Sequence, residues 1–224
     1  MKREILFTIF VAFVIIMAGC TKDNFDSPTS MLTGTVTYNG SPVGVKTGGT
    51  QLELWQYGFQ LKSKIAVQIA QDGTYSAILF DGNYKLVRLA GAPWVNQTDS
   101  IDVTVSGATK VDVPVVPYFT ITGETFSYAG GVLSASCTIN KVSTVNIERL
   151  TLYVGTTSIV DASNNAGKSD KPSSALSNLT VPLSYSYTVP TTLASRSYIY
   201  ARIGVKTTGV NELLYTPVKK IQLN

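Results

Sequence analysis

Short runs of alternating apolar and polar residues occupy this chain from Met31 onward. In residues 101–106 and again in residues 110–115, isoleucine or valine alternates with polar residues or proline. Gly, Pro, Asn and Asp separate the runs, and no stretch shows helical periodicity. A period of two gives a strand one buried face and one solvated face. The pattern predicts an all-β protein.

The composition is that of a chain that buries a core. Hydrophobic residues make up 44% of the chain and charged residues only 14%, which is far from the composition of disordered proteins. The segment Pro114-Val115-Val116-Pro117 is typical of a hinge, because its two prolines stiffen the chain and end a ladder. We therefore expect two tandem antiparallel β-sandwich domains, residues 31–116 and 117–224.

The N-terminus has the layout of a bacterial lipoprotein signal. Lys2 and Arg3 precede an apolar run from Ile5 to Met17, and the small residues Ala18 and Gly19 precede Cys20. The run is shorter than the ~20 apolar residues that span a bilayer. We predict that residues 1–19 are a signal peptide and that Cys20 is lipidated, so that the protein is held on a membrane by its acyl chains. The alternative is a plain secretory signal.

Residues 20–30 are predicted to be a lipidated tether. Thr21 follows the cysteine, which favours the outer membrane in two-membrane bacteria. The next residues, Lys22-Asp23-Asn24-Phe25-Asp26, resemble the acidic export tag of Bacteroidota surface lipoproteins. An ordinary polar tether is the alternative, and the choice between the periplasmic and the outer face stays open.

The first predicted domain carries the turn signals of one sandwich family. Asp72-Gly73 and Asp81-Gly82-Asn83 supply the positive φ that tight hairpin turns require. Together with Leu32-Thr33-Gly34-Thr35-Val36, they resemble the carboxypeptidase-regulatory or transthyretin-like sandwich over residues 31–116. Its turn aspartates are then turn formers rather than catalysts.

The second predicted domain resembles an immunoglobulin-like or fibronectin type III-like sandwich. The strand candidates are Val132–Ile139, Ile147–Val154, Leu183–Val189, Ser197–Val205 and Leu214–Ile221. Residues 158–178 lack a pattern and are expected to be a long loop. The Gly-Lys-Ser within it lacks the upstream glycine and the context of a phosphate-binding loop.

The chain contains no histidine. This absence excludes serine and cysteine catalytic triads and removes the usual zinc ligand and the commonest general base, so we expect no metal site and no cofactor. Cys137 is expected to be a buried core thiol. The basic residues are scattered, which argues against nucleic-acid binding.

Across its whole length, the chain resembles a Bacteroidota family of two-domain surface lipoproteins of unknown function. The resemblance rests on Cys20, the segment Asp23–Pro28, the Leu-Thr-Gly start and the Gln71-Asp72-Gly73 turn. The family is similar in setting to accessory lipoproteins of starch-utilisation-type systems. The resemblance implies glycan binding or assembly with an outer-membrane importer, as part of polysaccharide uptake, and no catalytic residue.

Aromatic side chains are the candidates for glycan contact, because their faces stack on sugar rings. If Leu52 and Leu54 are core residues, alternation turns Trp55 and Tyr57 outward. Trp94 lies in turn-rich sequence with Asn96 close by. Core or interdomain packing is the alternative for each.

Two further readings stay open. A histidine-free glycosidase would need two facing carboxyl groups among Glu53, Asp99, Asp102, Glu124 and Glu148. Tyr198, Tyr200 and Arg202 form an alternating stripe that either lines a binding face or meets the first domain.

Overall fold

The structure, a computed structural model, describes residues 26–58 and 62–223. The predicted signal peptide and Cys20 lie outside these residues. The described part is almost entirely β-structure, in two sandwich domains, which confirms the predicted fold class. The first sandwich contains β1 Ser30–Tyr38, β2 Ser41–Pro42, β3 Gln51–Gln56, β4 Lys64–Gln68, β5 Thr74–Leu79, β6 Gly82–Arg88, β7 Ser100–Val105, β8 Ala108–Lys110 and β9 Val113–Pro114.

Two sheets enclose the core of the first sandwich. In the β1 sheet, β1 pairs with β2 and β5 in antiparallel fashion and with β8 and β9 in parallel. The β3 sheet is antiparallel, in the order β4-β3-β6-β7. Every second side chain of a strand points into the core between the sheets. The buried side chains there include Leu32, Val36, Leu52, Leu54, Leu86 and Val103.

The two predicted turns have the expected backbone, and both also connect the two sheets. Gly73 has φ +86° and Gly82 has φ +153°, values that favour glycine. However, β4 and β6 belong to the β3 sheet, whereas β5 belongs to the β1 sheet. Each turn therefore carries the chain from one sheet to the other, and the Asp72-Gly73 turn also closes a short hairpin through an antiparallel bridge between Ile69 and Tyr75.

The elements of the second sandwich are β10 Phe119–Ala129, β11 Val132–Lys141, β12 Ile147–Gly155, β13 Gly167–Pro172, a 3₁₀ turn Ser173–Ala175, β14 Leu183–Thr188, helix α1 Thr191–Ala194, β15 Tyr198–Thr207, β16 Leu214–Tyr215 and β17 Lys219–Gln222. A three-stranded sheet, β10-β11-β14, packs against the sheet β13-β12-β15-β16, whose β15 also pairs with β17.

The expectation of a long unpatterned loop at residues 158–178 is wrong in its second half. Gly167–Pro172 forms β13, which pairs along its length with β12. This edge strand has no large apolar residue, so backbone hydrogen bonds rather than periodicity define it. The Gly-Lys-Ser sequence lies in that strand.

Arg202 joins the two domains. Its guanidinium is fully buried and donates hydrogen bonds to the backbone oxygens of Val45 at 3.2 Å, Val160 at 3.2 Å and Thr216 at 3.0 Å. It also reaches the Gln71 side chain of the first domain at 3.4 Å and lies 4.3 Å from the centre of the Tyr215 ring. Burial lowers the pKa of Arg202 to about 10, which leaves it charged at neutral pH. This member of the predicted stripe therefore meets the first domain.

Among residues 26–58 and 62–223, no helix is long and apolar enough to cross a membrane.

Candidate functional site

The outer side of the β3 sheet carries the two aromatic residues that alternation predicted to face outward. Leu52 and Leu54 are fully buried, Trp55 is half-buried, and Tyr57 is 59% exposed. Their outward neighbours follow from the strand register. We call this set the aromatic face: Glu53, Trp55, Tyr57, Lys64, Lys85 and Asp102.

One row of side chains crosses all four strands of the aromatic face. Trp55 lies directly opposite Lys64 of β4 and Lys85 of β6, and Lys85 lies opposite Asp102 of β7. Three strand spacings make this row about 14 Å wide. In this row an aromatic ring lies between two lysines.

Glu53 fixes the position of the indole ring. Its carboxylate accepts a hydrogen bond from Nε1 of Trp55 at 3.2 Å and from Nζ of Lys64 at 2.6 Å. The residue is only 6% exposed although it lies on the outer side of the sheet, because these two side chains cover it. Both carboxylate oxygens are satisfied, so the indole is held by its N–H edge while part of its ring remains open to solvent.

The rest of the aromatic face is polar and balanced in charge. Lys85 forms an ion pair with Asp102. Next to this pair, Thr104 donates a hydrogen bond to the Asn83 side chain at 2.8 Å. The ammonium of Lys62 lies 5.9 Å from the centre of the Tyr57 ring. Lysine and amide groups thus surround the two rings, as a site for sugar hydroxyls requires.

Trp94 does not contribute to this face. It is 1% exposed and forms a β-bridge with Pro117 at the junction of the domains, where the Val95 N–H donates to the Val116 oxygen. Its indole N–H has no hydrogen-bond partner among the described residues. Asn96 is exposed. Trp94 is therefore a packing residue, the alternative to ligand contact, because its ring is buried at the domain junction.

The five carboxylates considered for glycoside hydrolysis lie in both domains, with Glu53 and Asp102 on the aromatic face. Glu53, Asp99 and Asp102 lie in the first domain, and Glu124 and Glu148 lie in the second. Four of them are in ion pairs, namely Glu53 with Lys64, Asp99 with Arg88, Asp102 with Lys85 and Glu148 with Arg149. Glu124 lines a groove whose described walls hold no second carboxylate. Within residues 26–58 and 62–223, no group of three or more His, Cys, Asp or Glu residues could hold a metal ion.

Sequence reasoning missed a groove of about 320 Å³ between the two domains. Its walls come from residues 38–39 and 41–44 of the first domain, Pro117 of the linker, and residues 120–122 and 214–217 of the second. Sequence reasoning also missed Lys64 and Lys85, since only the cross-strand register places them beside Trp55.

Comparisons with known proteins give the family. The N-terminal domain model of a family described as of unknown function, DUF3823, matches residues 30–116, and the C-terminal domain model of that family matches residues 119–220. No curated protein matches the chain.

Solved structures agree with this match. A DUF3823 protein from Bacteroides ovatus is 38% identical, with a TM-score of 0.82, and the alignment covers 87% of this chain and 100% of that one. A DUF3823 protein from Parabacteroides merdae is 34% identical, with a TM-score of 0.81, and the alignment covers 88% of this chain and 100% of that one. A Bacteroides uniformis protein described as a candidate carbohydrate-binding protein is 18% identical, with a TM-score of 0.73 and the same coverage, and shows the shared fold alone. The predicted two-domain family is therefore confirmed, and this chain belongs to the DUF3823 family.

Proposed function

We propose that this protein is a lipid-anchored outer-membrane surface protein that binds a glycan without cleaving it, as an accessory or assembly subunit of a polysaccharide-uptake system. The observation that carries the proposal is the aromatic face, where Glu53 holds the Trp55 indole between Lys64 and Lys85 on an open sheet. Because Glu53 already restrains the Trp55 ring, little side-chain entropy would be lost on binding. An aromatic ring held in this way can stack on the face of a sugar ring.

Two further findings support a binding role. A protein that shares the fold is described as a candidate carbohydrate-binding protein. In addition, both carboxylates of the aromatic face are in ion pairs. Glycoside hydrolysis requires two carboxyl groups that face each other, up to ~9.5 Å apart, across the bound sugar.

The binding test uses residues 21–224 on a panel of polysaccharides, followed by titration of any ligand found. Trp55→Ala should weaken binding by about tenfold, since a stacked ring contributes up to ~1.5 kcal/mol beyond the area that it buries. Tyr198→Ala is the matched control, because Tyr198 is also a partly exposed aromatic residue on a strand, at 38%, but lies in the second domain. Equal affinity of wild type and Trp55→Ala would overturn the aromatic face as the site.

A separate measurement tests whether the protein leaves the bound glycan uncleaved. Prolonged incubation with each bound glycan should release no reducing ends. If reducing ends are released by the wild type and by Trp55→Ala, but not by Glu53→Gln or Asp102→Asn, a carboxylate-pair glycosidase would be favoured instead.

The anchor is tested in cells. The full chain should incorporate labelled fatty acid, and Cys20→Ala should not. Label that persists in Cys20→Ala would overturn the anchor. Protease treatment of intact cells then separates an outer-face location from a periplasmic one. Co-purification of an outer-membrane importer with the lipidated chain would support the uptake role.

A further inference from the structure

Three apolar side chains are exposed at one end of the β1 sheet. Met31 is 46% exposed, Ile78 is 62% exposed and Phe80 is 50% exposed. Met31 of β1 lies directly opposite Ile78 of β5, and Phe80 follows two residues after Ile78. We call these three residues the apolar patch. Soluble proteins expose single apolar residues routinely, but a contiguous group marks a contact surface.

The position of the patch along the chain indicates what it contacts. The first described residue is Asp26, and β1 begins at Ser30. Met31 follows Cys20 by eleven residues, a stretch that reaches at most about 40 Å when fully extended. A lipidated Cys20 therefore keeps this end of the domain within about 40 Å of the bilayer, whatever path the connecting residues take.

We propose that the apolar patch rests on the lipid bilayer and orients the anchored protein, an inference that rests on the lipid attachment proposed above. Three half-exposed side chains are too few to hold a protein on a membrane from solution. A covalent tether changes this, because the second contact becomes intramolecular and proceeds at a high effective concentration.

The charges around the patch favour shallow apolar contact over electrostatic attraction. Lys110 is exposed beside Thr33 on the same sheet face. Asp81 accepts hydrogen bonds from the Ser30 hydroxyl and from the Gly107 N–H. Asp112, between β8 and β9 of the same sheet, accepts a hydrogen bond from the Thr35 N–H at 3.0 Å. One cation and two carboxylates give no net attraction to anionic lipid, so the contact should be insensitive to salt.

Bilayer contact through the β1 sheet has a geometric consequence. The two sheets of a sandwich turn their outer faces in opposite directions. The apolar patch lies on the outer side of the β1 sheet, and the aromatic face lies on the outer side of the β3 sheet. With the patch on the membrane, Trp55 and Tyr57 point away from it, toward soluble polysaccharide.

The test places a fluorophore on the patch of the lipidated full chain. Ile78→Cys is labelled with bimane, and the protein is incorporated into phosphatidylcholine vesicles that carry a spin-label quencher on the upper acyl chain. Cys137 is buried and Cys20 is acylated, so neither takes the label. The matched control is Val181→Cys, an apolar position in the second domain with 49% exposure.

We expect strong quenching and a blue shift for bimane at position 78, little of either at position 181, and the same result at high salt. Adding Met31→Ser and Phe80→Ser to Ile78→Cys should reduce the quenching while the protein still floats with the vesicles. Equal quenching at positions 78 and 181 in floating protein would overturn the patch contact and leave the anchor standing. Shielding of position 78 in cells but not in vesicles would assign the patch to a protein partner and overturn the proposal. Failure of the chain to float would overturn both the anchor and the contact.

Discussion

At the scale of single residues, Cys137 shows how burial controls reactivity. The thiol lies on β11 between the two sheets of the second sandwich and is 1% exposed. Burial, with a smaller effect from the charge of Glu124, raises the pKa of Cys137 to about 12. The thiolate is the nucleophilic form, so this thiol should be inert near neutral pH.

Thiol titration checks this expectation. In residues 21–224, where Cys137 is the single cysteine, the native protein should not react with Ellman's reagent, and one equivalent should react after unfolding in guanidinium. Rapid stoichiometric reaction of the native protein would show that the thiol is accessible.

Asp72 gives a pH dependence at a single turn. The Thr74 side chain donates a hydrogen bond to Asp72 at 2.7 Å, and this bond lowers the pKa of Asp72 below 3.8. Desolvation opposes the shift, and a hydrogen bond from the Thr74 backbone N–H at 3.0 Å adds to it. Because the folded-state pKa is depressed, the stabilisation is present above the unfolded pKa and is lost as pH falls through the folded pKa.

We expect Asp72→Asn to be less stable than wild type near neutral pH and the difference to shrink below about pH 3.8, where the carboxylate protonates in the unfolded chain. Urea unfolding of both proteins across this range measures it. A difference that stays constant with pH would contradict the role of the Asp72 charge.

At the scale of elements, β1 is the strand on which the first sandwich depends. It pairs with four other strands, and Gly34 at its centre leaves no room for a side chain. A Cβ at Gly34 would lie 1.7 Å from the Val111 oxygen and 2.8 Å from the Tyr75 hydroxyl, which itself donates to that oxygen at 2.6 Å. Backbone of a paired segment cannot move aside cheaply.

Gly34→Ala should therefore destabilise the protein by about 3 kcal/mol, the upper end of typical overpacking costs. Thr35→Ala, at the next position of the same strand on the outer side, is the control and should change stability by less than about 1 kcal/mol. Denaturant unfolding of both variants measures the free energies, and comparable losses would mean that the close approach at Gly34 is not the cause.

Strands with regular apolar alternation were predictable from sequence, whereas strands without it were not. Residues 74–79 and 101–105 follow the pattern and lie in β5 and β7. β10 was missed because most of its side chains are partly or fully exposed. The predicted strand Leu214–Ile221 is divided into β16 and β17, where Thr216 accepts the Ile203 N–H through its side chain and Pro217 has no N–H to offer.

The candidate site also contains residues that alternation predicts and residues that it does not. Alternation correctly predicted that Trp55 and Tyr57 face outward, because both lie on or just after a strand with a buried Leu52 and Leu54. Trp94 lies outside the strands, where alternation gives no direction, and its burial arises from contact with the linker. The lysines of the aromatic face come from other strands, which a single sequence does not align.

At the scale of the whole molecule, Arg202 makes the two domains depend on each other. Its guanidinium satisfies backbone oxygens from both domains in a buried interface, where the charge of buried Asp161 favours the charged form of Arg202. Removing it leaves those oxygens unpaired. The two sandwiches should then lose part of their shared stability.

Arg202→Met should lower the free energy of unfolding by about 3 kcal/mol and separate one unfolding transition into two. Calorimetry and protease sensitivity of the linker near Pro117 measure the change. Arg149→Met is the control, since its pair with Glu148 is partly exposed and should contribute about 0–1 kcal/mol. A single transition at the wild-type midpoint would show that Arg202 does not couple the domains.

The contrasting environments of the two tryptophans have a practical consequence for spectroscopy. Trp94 is 1% exposed at the domain junction, whereas Trp55 is half-buried beside Glu53 on the open sheet. Iodide should therefore quench the red-shifted part of the native emission and leave a blue-shifted part from Trp94. A sugar bound on Trp55 would protect only the first part, and parting of the domains would alter only the second. The unlabelled protein thus carries separate optical reporters for occupancy and for domain contact.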